Sequence, residues 1–200
     1  SDPDGAGDVK QISYSATGAQ SIPATTVAGD SASVAVSAEG STTLTFFATD
    51  QAGNHETPQT LTVKIDKTAP SIAAVAMTVP NPAGWYKTSV VVHFTCTDRG
   101  SGIPLGACPA DQTLSSEGAV VAARAQTVTD AAGNSSGASN VVTVKIDRTA
   151  PTLTAANLSL DATSPLGVIV AAYSGLSASD NLDPTPSVAC LPSAPHLFPI

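Results

Sequence analysis

The stretch TLTFFATDQAGN at 43–54, followed by LTVKIDKTAP at 61–70, returns eighty residues on as ARAQTVTDAAGN at 123–134 and VTVKIDRTAP at 142–151. A strand, an Asp-x-Ala-Gly-Asn turn, a second strand and an Asp-x-Thr-Ala-Pro exit are duplicated, and the exit proline recurs at Pro70 and Pro151. Repetition at this period means one small domain used in tandem. A chain of this kind serves reach and display rather than a reaction.

Only 12% of the 200 residues are charged, against about 25% in an ordinary globular protein. Ser, Thr, Ala and Val dominate, with 15 Gly and 15 Pro. That mixture favours short strands and turns over helices. No stretch of ten or more residues shows helical periodicity with caps. With 4% aromatic residues, each module builds its core from Val, Ile, Leu and Ala around one or two rings. The net charge is −8 and no basic cluster exists, which argues against nucleic acid or an anionic membrane surface as a partner. No apolar run approaches the ~20 residues of a membrane span, so direct membrane insertion is not expected.

The second module reads most clearly. SIAAVAMTV at 71–79 is a first strand, NPAG at 81–84 a turn, and Trp85 and Tyr86 open the strand SVVVHFTCTD at 89–98. There Val90, Val92, Phe94 and Cys96 alternate with Val91, His93, Thr95 and Thr97, the period-2 pattern of a half-buried strand. RGSGIPLG at 99–106 is a loop by its Gly and Pro. Val142, Val144 and Ile146 share one face of the last strand. In the turn, Gly133 can take positive φ and so can Asn134, while Asp130 can accept hydrogen bonds from the turn's own amides. The same holds for Asp50, Gly53 and Asn54. Aligning the copies sets Arg124 and Gln126 where the first has Leu44 and Phe46, which leaves the buried face of 121–129 open.

Six or seven short strands with turns about every ten residues fit an antiparallel sandwich. The expectation is therefore an all-β chain of tandem antiparallel sandwiches in an elongated array. Its modules are 1–69 (lacking its opening strands), 70–150 (complete) and 151–200 (lacking its closing strands). No Gly/Ser spacer separates them, and Ala69 and Ala150 are pushed toward extended geometry by the prolines that follow.

The motifs AEGSTTLTFFATDQAGN at 38–54, IDKTAP and IDRTAP, and GWYKTSVVVHFTCTDRGSG at 84–102 resemble bacterial Ig-like surface repeats. The resemblance covers roughly 1–150, and such repeats occur in many secreted proteins with no shared activity. The third module resembles a hyalin repeat, an Ig-like fold linked to adhesion and extracellular assembly. The matching residues are ATSPLGVIV at 162–170, SASDNLDPTPSVAC at 177–190 and LFPI at 197–200. That resemblance implies a partner for Cys190 on a strand beyond Ile200.

Cys96 ends an alternating strand and Cys108 lies twelve positions on, past a Gly/Pro loop. A disulfide across that loop is the preferred reading, with two unpaired thiols as the alternative. It would place the chain in an oxidising compartment, extracellular or at a cell surface. Asp2, Asp4 and Asp8, and Asp180, Asn181 and Asp183, are candidate calcium ligands. Neither set has the helix–loop–helix spacing, and solvated turns are the reading taken, with no metal or cofactor assigned. His55, His93 and His196 are far apart and suggest no triad. Trp85 and Tyr86 could form a small sugar platform, though such residues more often close the end of a sandwich core. The N-x-Ser patterns at 134–136 and 157–159 are given no weight.

The function expected is a structural and adhesive stalk segment of a secreted or cell-surface protein. Its partners would be other modules of the same protein and cell-surface or matrix components. The alternative is a set of accessory modules of a secreted glycoside hydrolase or protease whose catalytic domain lies outside this stretch. Sequence flanking residues 1 and 200 separates the two. Nothing in the chain reads as an enzyme in itself.

Overall fold

A computed structural model describes residues 8–162 and 164–199. The chain is all-β, and no helix occurs among the described residues. It divides into two compact units. One holds the described part of Ser1–Ala74 with Phe94–Ala110 and Ala125–Asn140. The other holds Val75–His93, Asp111–Arg124 and the described part of Val141–Ile200.

The first unit is built on a four-stranded antiparallel sheet, in the order β2-β1-β3-β4. Its strands are β1 (Val9–Gly18), β2 (Ile22–Ala28), β3 (Gly40–Asp50) and β4 (Gln59–Ile65). Tyr14 faces Phe46 across β1 and β3, and Leu44 faces Leu61 across β3 and β4, so bulky pairs set the register. Gly18 has φ +104°, and the space a Cβ would need there is filled by the Ser41 carbonyl. Only glycine lets β1 turn that close to β3.

β5 (Ser71–Ala76), β7 (Val90–Thr97) and β8 (Gln112–Leu114) form a three-stranded sheet in the order β5-β7-β8. β7 is rich in β-branched residues, which suit a pleated, half-buried surface. Val90, Val92 and Phe94 are at most 2% exposed, while His93 and Thr95 on the alternate face are exposed. In the second unit β6 (Trp85–Tyr86), β10 (Thr143–Ile146) and β9 (Gly118–Ala122) form a sheet in the order β6-β10-β9. Val144 and Ile146 are buried there, so both sheets contribute a buried apolar face, as in a sandwich.

Two details differ from expectation. Trp85 and Tyr86 do not open the long strand. They form a separate short strand that pairs in parallel with β10, Lys145 opposite Trp85 and Ile146 opposite Tyr86. The chain changes sheets at the turn before β6, where Gly84 takes φ +85°. The buried positions of 121–130 are Ala123, Val128 and Asp130, with Arg124 exposed. After β9 this segment leaves the named strands, keeps backbone bonds from Ala123 to Val142 and from Ser136 and Ser139 to Val128 and Gln126, and gains side-chain bonds. Gln112 Nε2 donates to the Arg124 carbonyl while its Oε1 accepts the Arg124 amide. Asn140 makes the same two-sided pair with Ala74, both at 2.8 Å.

From β11 (Thr152–Ala155) onward the strands pair in twos: β11 with β13 (Leu176–Ser179), and β12 (Val168–Val170) with β14 (His196–Phe198). Val170 is the buried apolar side chain of this region among the described residues, while Leu153, Leu166 and Ile169 are exposed.

Candidate functional site

The duplicated turns have the same hydrogen bonds. In the first, the Asn54 amide donates to Asp50 Oδ1 at 2.8 Å and its Nδ2 to Asp50 Oδ2 at 2.7 Å. In the second, Asn134 repeats both bonds to Asp130, each at 2.8 Å. Gly53 and Gly133 both have φ +95°. Asn54 and Asn134 do not take positive φ, since no described non-glycine residue does. The asparagine serves through its side-chain amide, which closes the turn onto the aspartate. Bonding to Asn54, its side chain first, holds the Asp50 carboxyl below its ordinary value. Each turn also docks on an earlier segment: Gln51 N donates to the Asp8 carbonyl, and Ala131 N to the Gly102 carbonyl.

The Asp-x-Thr-Ala-Pro exits are duplicated in the same way. Asp66 Oδ1 accepts the Thr68 amide at 3.0 Å, and Asp147 Oδ1 accepts the Thr149 amide at 3.1 Å. Glu39 accepts the Thr68 hydroxyl, and Glu117 accepts that of Thr149. Asn181 Nδ2 adds a bond to Glu117 Oε2. The Thr149 hydroxyl is the first cause holding the Glu117 carboxyl below its usual range.

The first exit carries an assembly that is not repeated at the second among the described residues. Asp66, Asp98 and Asp130 each bring one carboxylate oxygen to within 4.8 Å of the other two. Asp66 follows β4, Asp98 follows β7, and Asp130 belongs to the second turn. All three lie in one compact unit. Asp66 Oδ2 accepts the Ser101 amide at 2.6 Å, and hydrogen bonding by Ser101, hydroxyl first and amide second, holds its carboxyl below the ordinary value. Asp98 Oδ2 accepts the Gly100 and Gly102 amides at 3.1 and 2.6 Å. Asp130 Oδ1 accepts the Ala132 and Asn134 amides, and the residue is 4% exposed. The Asp66 carboxylate fills the space that a Cβ at Gly100 would need.

Of these three, the sequence reading singled out Asp130 alone, and as a turn residue. No sequence motif joins 66, 98 and 130, and only folding brings their carboxylates together. Among the earlier calcium candidates, Asp180 Oδ1 accepts the Leu182 and Asp183 amides, and Asp183 Oδ1 accepts the Thr185 amide. The Asp183 amide is the first cause of the lowered Asp180 carboxyl pKa. Asp2 and Asp4 lie outside the described residues, and Asp8 meets the first turn through its carbonyl.

Cys96 and Cys108 are joined, with Cα atoms 5.8 Å apart, and Cys190 is free. The bridged loop contains Asp98, Gly100 and Gly102, so it frames one wall of the carboxylate group. Trp85 and Tyr86 line an open cavity of about 480 Å³ with Asn81, Asp147 and Asp183. The Lys145 ammonium lies 5.7 Å from the Trp85 ring centroid, and the Tyr86 hydroxyl donates to the Thr78 carbonyl. His55 bonds Thr49, His93 bonds Asp111, and His196 packs edge-on to Phe198. These three rings sit on separate elements.

The chain matches no protein-family model and no curated protein.

Proposed function

We propose that this chain is a stalk segment of a secreted or cell-surface protein, in which tandem Ig-like modules act as spacer and as a surface for weak contacts. The observation that carries the reading is that the Asp–Asn turn bonds and the Asp–Thr and Glu–Thr exit bonds recur in the two copies. Selection for spacing preserves module-closing contacts and demands no reaction centre. The resemblance to surface and hyalin repeats points the same way. A disulfide fits an oxidising, extracellular setting. No helix among the described residues is long and apolar enough to cross a membrane, and attachment would fall to other parts of the protein.

The test is a reach measurement. The chain is placed between a membrane anchor and a fluorescent domain on a cell surface, and reporter height is compared with a direct fusion of anchor to reporter. A spacer raises the reporter measurably. Equal heights would reject the stalk role.

A further inference from the structure

We propose that Asp66, Asp98 and Asp130 form a binding site for a hard divalent cation, calcium foremost. Three independent chain segments bring one carboxylate oxygen each to within 4.8 Å of the others. A second observation points to a ligand. Asp98 Oδ1 is buried from solvent and has no hydrogen-bond partner. A buried carboxylate oxygen left without a donor is costly. The donors to the other oxygens are neutral amides and hydroxyls, so they orient the carboxylates without cancelling their charge. A dication at the centre of the group satisfies the orphaned oxygen and offsets the mutual repulsion together.

The donor set selects the ion class. All three side chains offer oxygen, and the group includes no His or Cys, which favours calcium or magnesium over zinc or copper. Calcium accepts six to eight oxygens in irregular geometry, whereas magnesium demands a near-ideal octahedron. Carboxylates pinned by turns on three different segments cannot adjust to an octahedron and suit calcium better. Asp130 Oδ2 accepts one N–H, from Asn134 Nδ2, and retains a second lone pair for the ion. The consequence is mechanical. The ion would tie the exit of the first copy (Asp66) to the loop after β7 (Asp98) and to the second turn (Asp130). This goes beyond the stalk reading and stands apart from it, because its readout is ion binding rather than reach.

The experiment uses the whole chain, stripped with a chelator and titrated with calcium chloride in a calorimeter, with thermal unfolding in parallel. We expect one calcium per chain with a Kd of about 10⁻⁴–10⁻³ M, the range of extracellular modules. The Tm should rise by several degrees when calcium is at ten to about a hundred times that Kd, by mass action on the native state. Asp98→Asn retains an acceptor for Gly100 and Gly102 and replaces the orphaned oxygen by an NH₂ that can donate to its carboxylate neighbours. Its calcium-free Tm should equal or exceed the unsubstituted value, with the calcium response lost. Asp66→Asn, read the same way, decides the matter if Asp98→Asn does not fold. Asp161→Asn, an exposed acid elsewhere, should retain the full response. A chain with no calcium response overturns the proposal. So does a response that survives in Asp98→Asn and Asp66→Asn, since the ion would then bind elsewhere.

Discussion

Phe94→Ala should lower the unfolding free energy by about 3–5 kcal/mol, the usual loss for a buried aromatic ring replaced by a methyl group. Phe94 is 2% exposed, on the middle strand of its sheet, and continues the buried face of Val90 and Val92. The loss has two parts: the ring's transfer out of water and the cavity that rigid strands cannot close. Thr95→Ala, one position along on the exposed face, should change stability by no more than about 0.5 kcal/mol. Urea unfolding measures both, and the difference between neighbours is the informative quantity. A Phe94→Ala loss below about 1 kcal/mol would mean that the alternation along β7 does not mark a packed core.

Opening the Cys96–Cys108 bridge should cost about 3 kcal/mol, from the chain entropy returned to the unfolded state when a loop of this length is freed. The bridged cysteines are separated by 12 positions. The loop between them carries the Gly100 and Gly102 amides that fix Asp98, so native-state losses add to the entropic one. Unfolding midpoints in the presence and absence of a thiol reductant give the effect. Thiol titration of the denatured, unreduced chain should find one free group, Cys190. An unchanged midpoint on full reduction would show that the loop is held without its bridge.

Much of the middle of the chain was legible from pattern. β7 was readable because period-2 alternation over eight residues leaves one buried face, and the glycine of each Asp-x-Ala-Gly-Asn turn because only a residue without Cβ takes φ near +95° at no cost. Other features depend on partners far along the chain. The short strand at Trp85 and Tyr86 pairs in parallel with residues sixty positions away, and two residues carry no periodicity. Gln112 pairs through its side-chain amide with the backbone of Arg124 just after β9, and Asn140 does the same with Ala74, each standing in locally for a neighbouring strand. A lone Gln or Asn in sequence does not announce that task. The carboxylate group is illegible for the same reason. Asp66, Asp98 and Asp130 each read as an ordinary turn residue, and only folding brings them together.

The central proposal is that the duplicated segments are modules set in a row. Small-angle scattering on the intact chain tests it most directly. A single compact globule of this length has a radius of gyration of about 16 Å. A row of modules predicts a value well above that, with a distance distribution skewed to a long tail. A radius near 16 Å with a symmetric distribution would contradict the array, and with it the stalk.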